Sequence, residues 1–88
     1  MNRSSNVIIY TEDRFQNPSS NVKQLGYDRG TQTVRVSFKN KTGSITAEWD
    51  YWPVPEDHFL NDIMDAPSVG VAVNQYLIKS TCERIKVR

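Results

Sequence analysis

Val34-Arg35-Val36-Ser37-Phe38-Lys39 and Ile45-Thr46-Ala47-Glu48-Trp49-Asp50-Tyr51 flank the polar stretch Asn40-Lys41-Thr42-Gly43, and how they are read decides the fold. In each run apolar and polar residues alternate with a period of two, as in a strand wet on one face. The linking tetrapeptide is polar and ends in glycine, which suits a hairpin turn. Folding the hairpin so that its apolar faces coincide is expected to set Phe38 near Ile45, Val34 near Trp49, and Arg35 opposite Glu48 as a cross-strand ion pair.

Working outward from the hairpin, Val22 to Tyr27 reads as a further strand, closed by the turn Asp28-Arg29-Gly30-Thr31. Val7-Ile8-Ile9-Tyr10 can form an extra strand, joined to the body through Asn17-Pro18-Ser19-Ser20. Residues 1–18 are therefore read as an N-terminal extension and 19–88 as the domain proper. Downstream, Trp49-Asp50-Tyr51-Trp52-Pro53-Val54-Pro55 leads into an amphipathic helix. Pro55 suits a first helical position, Glu56 and Asp57 suit the positive end of the helix dipole, and Phe59, Leu60, Ile63 and Met64 fall on one face. Pro67 stops that helix. Ser68 to Lys79 has two readings. Val69, Val71 and Val73 alternate like a strand, whereas Val69, Val73, Tyr76 and Leu77 suit a helix capped by Ser68. Ile85 and Val87 alternate with Arg84, Lys86 and Arg88 in a closing strand. The expectation is an α+β domain: a three-stranded antiparallel meander, one or two helices and a closing strand.

With 88 residues, the chain has room for one domain. Cys82 is the single cysteine, so no internal disulfide can form. A lone thiol, with an apolar stretch at Val7–Tyr10 too short for a signal-peptide core or a membrane span, leads to an expected cytoplasmic, soluble protein. The net charge of +1 conceals a segregated pattern. Residues 1–41 carry seven Lys/Arg against three acids, 42–78 carry six acids and no Lys/Arg, and 79–88 carry four Lys/Arg against one acid. Two fields of opposite sign result if these segments fold onto different sides.

The pieces taken in order resemble the KTSC domain, a short module at the C-terminus of some lysyl-tRNA synthetases that also occurs as stand-alone bacterial proteins. The resemblance rests on Ser20-Asn21-Val22 followed by Gly26-Tyr27-Asp28, the Val34-x-Val36-x-Phe38 strand, and an aromatic-x-aromatic pair running into Val54-Pro55. It continues with Ala66-Pro67-Ser68-x-Gly70 and Asn74, and covers about Ser19 to Val87. It implies a compact α+β domain, with RNA binding suggested by the synthetase context, and it favours the helical reading after Ser68. Two departures stand out. The family's central Tyr-x-Tyr is Trp49-Asp50-Tyr51 here, and Val71-Ala72-Val73 stands where aromatic and basic residues are expected.

Arg35, Lys39, Arg84, Lys86 and Arg88 are expected on the wet faces of two strands, where a basic stripe could contact phosphates. The ordinary alternative is a solvated face partly neutralised by Glu48 and Asp50. Trp49 and Tyr51 share a face with Ile45 and Ala47 and read as core. Trp52 points the other way and is the candidate for stacking on a base, a contact worth about 1–3 kcal/mol. Glu56, Asp57, Asp62 and Asp65 form an acidic helix face able to dock a basic protein. His58 and Asp62, four apart, can pair, yet no nucleophile adjoins them and Cys82 is the only thiol. No metal-ligand spacing and no glycine-rich phosphate loop is present, so neither metal nor cofactor is expected. The chain is therefore expected to be a non-enzymatic binding module for nucleic acid, RNA ahead of DNA. The rival is a protein-interaction module, an adaptor or inhibitor from a mobile element, that docks on a basic host protein through the acidic helix and the N-terminal extension.

Overall fold

The computed structural model, which describes residues 7–88, has five strands, the central three of them rich in alternating β-branched and aromatic residues. They are β1 (Val7–Thr11), β2 (Val22–Asp28), β3 (Thr33–Lys39), β4 (Ile45–Trp52) and β5 (Glu83–Lys86). Each pairs antiparallel with the next, giving one sheet of order β1-β2-β3-β4-β5. The expected three-stranded meander is β2 to β4. It is extended at one edge by Val7–Thr11 and at the other by the closing strand, so the sheet has five strands.

The residues between β1 and β2 are tied into the body. Phe15 is 7% exposed and belongs to the core. Gln16 donates its side-chain amide to the Asp65 carbonyl at 2.6 Å, and Asn17 does the same to Pro67 at 2.9 Å. These bonds satisfy carbonyls in the link between the two helical segments.

The central hairpin forms in a register two residues away from the expected one. Val34 faces Tyr51, Arg35 faces Asp50, Val36 faces Trp49, and Phe38 faces Ala47. The turn explains the slip. The Asn40 carboxamide oxygen accepts from the backbone N–H of both Thr42 and Ser44, and the Asn40 N–H donates to the Ser44 carbonyl at 3.0 Å. The loop therefore closes from Asn40 to Ser44, with Gly43 at φ 88° in the left-handed region, and a bulge follows between Phe38 and Lys39. A slip of two residues leaves every side chain on its own face, so the hydrophobic pattern cannot distinguish the two registers.

Both helical segments lie on one face of the sheet. The first, α1 (Glu56–His58), runs into a wider π-helical turn (Phe59–Met64) that buries Phe59, Ile63 and Met64. The second, α2 (Val69–Val73), continues as another (Asn74–Ile78). Ser68 settles the two readings of this stretch in favour of helix, since its hydroxyl caps the Val71 N–H at 3.3 Å. Val69, Val73 and Leu77, at spacing i, i+4, i+8, are each 1% exposed, while Val71 points outward. They pack on Leu25, Tyr27, Val34, Val36 and Tyr51 from the sheet.

The rings of Tyr27 and Phe59 stack at 4.8 Å with 11° between their planes, and Tyr10 tilts against Phe59 at 5.6 Å. The buried Tyr27 hydroxyl donates to the Val54 carbonyl. Phe59→Ala should remove about 3–5 kcal/mol, a large part of the ~5–15 kcal/mol typical of a whole domain. Tyr27→Phe should remove about 1–3 kcal/mol by orphaning one buried carbonyl. Urea denaturation would measure both.

Gly70 lies where α2 meets the start of β2. A Cβ there would fall 2.6 Å from the Asn21 carboxamide oxygen and 3.3 Å from the Ser19 hydroxyl. Gly70→Ala alone should therefore forfeit the ~1 kcal/mol that alanine normally gains in a helix. Combining it with Asn21→Ala should restore the gain. A double-mutant cycle is expected to show coupling of at least ~0.5 kcal/mol, and strict additivity would contradict the contact.

Candidate nucleic-acid interface

Cross-strand pairing sorts the sheet's side chains into two faces. On the helix side, Tyr27, Val34 and Tyr51 form a buried row, with Leu25, Val36 and Trp49 beside it. Burial fades toward β5, where Trp49 and Phe38 are only half-covered. On this same face Arg84 stands opposite Tyr51, and Lys86 stands opposite Trp49. On the outer face a single row crosses all five strands: Ile9, Gly26, Arg35, Asp50 and Ile85.

The expected stripe of Arg35, Lys39, Arg84, Lys86 and Arg88 on one wet face is thereby corrected. Arg84 and Lys86 lie on the helix side, and Arg35 lies on the outer face. The closing strand is turned over relative to its reading from sequence: Ile85 and Val87 are 57% and 41% exposed. The helices stop short of β5, so that strand has no buried side and its alternation carries no information about which face is which.

Most of the predicted cations are also already engaged. The Arg35 guanidinium grips Asp50 with two hydrogen bonds, Nε to Oδ1 at 2.7 Å and Nη2 to Oδ2 at 3.0 Å. Those bonds raise the guanidinium's pKa above its usual value and fix its charge. Lys39 Nζ lies 2.7 Å from Glu12 Oε1, and its side chain is only 14% exposed. Arg88 lies 3.9 Å from Glu48. Arg84 donates to the Ile78 carbonyl at 2.9 Å, a favourable place for a cation at a helix C-terminus. Among the described residues Lys86 and Arg84 have no carboxylate partner.

Phe38, Trp49, Tyr51, Ile78 and Arg84 line a shallow groove of about 300 Å³ at this margin, a grouping of aromatics and a cation that sequence reasoning did not anticipate. Only the β4–β5 register brings Lys86 and Arg84 beside Trp49 and Tyr51. Trp52, the expected stacking residue, is half-buried on the outer face, opposite Glu83 and away from those cations.

Two of the four helix acids have basic partners: Glu56 meets Arg29 at 2.8 Å, and Asp62 meets His58 Nδ1 at 2.6 Å. Asp65 lies beside the Gln16 amide, and Asp57 is exposed. The expected His58–Asp62 pair is thus formed, with the imidazole edge-on to Tyr76 at 5.1 Å. Cys82 lies elsewhere, its sulfur 4.0 Å from the Pro53 carbonyl. Among the described residues no three His, Cys, Asp or Glu side chains converge as a metal site.

The profile of the KTSC domain matches residues 18–80, most of the chain. The chain belongs to the KTSC domain family. Among solved structures it is similar to a KTSC domain protein from Yersinia pestis, with 20% identity over 93% of this chain and 99% of that one, at a TM-score of 0.64. At that identity the likeness speaks to the fold. No curated protein matches the chain. Segments on which the resemblance rests, distant in sequence, meet in space: Ser20 and Asn21 face Ser68, Gly70 and Asn74 across a polar groove of about 540 Å³. β1 and β5, the edge strands of this KTSC domain, both lie outside the matched span. Among the described residues no helix is long and apolar enough to cross a membrane.

The hydrogen bond from Lys39 holds the Glu12 carboxyl below the usual carboxylate range. A carboxyl with a lowered folded-state pKa contributes stability that is whole above its unfolded value, ~4.3, and is lost as pH falls through the folded one. Lys39→Met should therefore lower stability at neutral pH and flatten its decline between about pH 5 and 3. Urea midpoints across that range would check this, and an unchanged acid limb would argue against the pair.

Proposed function

We propose that this KTSC domain is a non-enzymatic binding module for single-stranded nucleic acid, RNA ahead of DNA. The ligand lies along the β4–β5 margin, not across the outer face of the sheet. One observation carries this reading: Lys86 opposite Trp49 and Arg84 opposite Tyr51 set two cations without acidic partners beside a half-open aromatic groove. Single strands are held by that combination, with rings for the bases and cations for the backbone. In this reading His58 and Asp62 are a surface pair on the helix and not a catalytic base with its orienter. The free thiol of Cys82 suits a reducing cytoplasm, where we place the protein. The rival reading, a basic protein docked on Glu56, Asp57, Asp62 and Asp65, retains less charge, because Arg29 already answers Glu56.

Few phosphate contacts mean weak binding, with a dissociation constant of about 10⁻⁴–10⁻⁶ M at moderate salt. Fluorescence anisotropy with a labelled oligouridylate tests this. About three phosphate contacts predict roughly a twentyfold loss of affinity between ~50 and ~200 mM salt. Lys86→Glu should weaken binding about tenfold, while Arg35→Glu should leave it nearly unchanged. The reverse order would place the ligand on the outer face, and indifference to both would refute the proposal. Oligodeoxyuridylate in parallel reports on the ribose hydroxyl.

A further inference from the structure

The outer face of the sheet is the one opposite α1 and α2, and its row Ile9, Gly26, Arg35, Asp50, Ile85 has a self-complementary order. Ile9 and Ile85, at its ends, are 51% and 57% exposed, which is high for isoleucine within a sheet. Ile9 leans over Gly26, its Cδ1 3.2 Å from where a Cβ would stand, and beside it lies a hollow of about 210 Å³ whose lining includes Val7, Ile9, Asp28, Arg35 and Asp50. The Arg35–Asp50 pair fills the centre of the row.

We infer that this face is an isologous docking surface for a second copy of the chain. Consider a twofold axis parallel to the strands, passing between β3 and β4. It lays Arg35 of each copy against Asp50 of the other, and in the same step it carries each Ile85 over the opposite Gly26. Strands are spaced about 4.8 Å apart and sheets stack about 10 Å apart, so both coincidences come from one operation and need no distortion of either sheet. A knob meets a hollow, and two ion pairs become a four-membered charge cluster. Isologous interfaces require this kind of symmetry, in which residue i meets j and j meets i. The occupant is a copy of this chain because the charge order and the knob-and-hollow order invert together about the same axis. The surface lies across the sheet from the nucleic-acid margin and does not depend on it.

Sedimentation equilibrium tests the pairing, with circular dichroism confirming that each variant is folded. Wild type should dimerise reversibly. Ile85→Glu should raise the dimer dissociation constant at least ~10-fold, by losing the apolar knob and setting a carboxylate beside Asp28 and Asp50 in the hollow. Arg35→Glu and Asp50→Lys should each be monomeric alone, because each sets like charges face to face. Mixed together, the two variants should form a heterodimer, since position 35 of one then meets position 50 of the other with opposite sign. Monomeric wild type at ~1 mM would overturn the inference. So would a dimer that survives both Ile85→Glu and Arg35→Glu, or a mixture that fails to associate.

Discussion

The stack of Tyr27 on Phe59 fixes the helices to the sheet, and the arrangement of the molecule follows from it. Tyr27 lies in β2 next to β1 and β3, and its hydroxyl is bonded to Val54, where the chain leaves β4 for α1. Val54 is held from the other side by its N–H to the Gln32 carbonyl at 2.8 Å. Burial raises the phenol's pKa, so the ring stays neutral and the hydroxyl remains a donor. With the entry to α1 fixed there, Phe59 and Ile63 lie over the inner strands and the second helical segment follows beside them. β5 is left outside their cover. The exposed isoleucine on one face of β5 and, on the other, Arg84 and Lys86 without a carboxylate partner among the described residues are consequences of where the helices stop.

Electrostatically the chain is self-answering. The basic N-terminal half and the acidic middle, separate in sequence, are interleaved across the sheet by Arg35–Asp50 and Arg29–Glu56, while Arg88 reaches Glu48 from the end of the chain. Exposed pairs of this kind contribute little to stability, about 0–1 kcal/mol each. They matter because they remove cations from the pool available to a ligand. The few left without acidic partners acquire significance from their neighbours, Lys86 beside Trp49 above all.

The KTSC signature has a physical reading in these contacts. Ser19 organises the start of β2 by accepting from the N–H groups of Asn21 and Val22, and Gly70 allows α2 to approach Asn21 without a Cβ between them. The helix after Ser68 depends on the same junction. Its valines suit a strand as well as a helix, and the capping hydroxyl of Ser68 together with burial of Val69, Val73 and Leu77 selects the helix.

Local pattern alone determined the α+β class, the central hairpin, the helix after Pro55, the burial of Tyr51 and the pairing of His58 with Asp62. Each depends on periodicity, turn chemistry or i, i+4 spacing within a short stretch. The register of β3 on β4, the face that β5 presents and the partner of each cation were decided only in three dimensions. A two-residue slip conserves the hydrophobic pattern while exchanging Glu48 for Asp50 opposite Arg35, and an edge strand with no covered side has no pattern to read. The candidate interface fell on that second group because its members, Phe38, Trp49, Arg84 and Lys86, become neighbours only through strand pairing, which linear spacing does not encode.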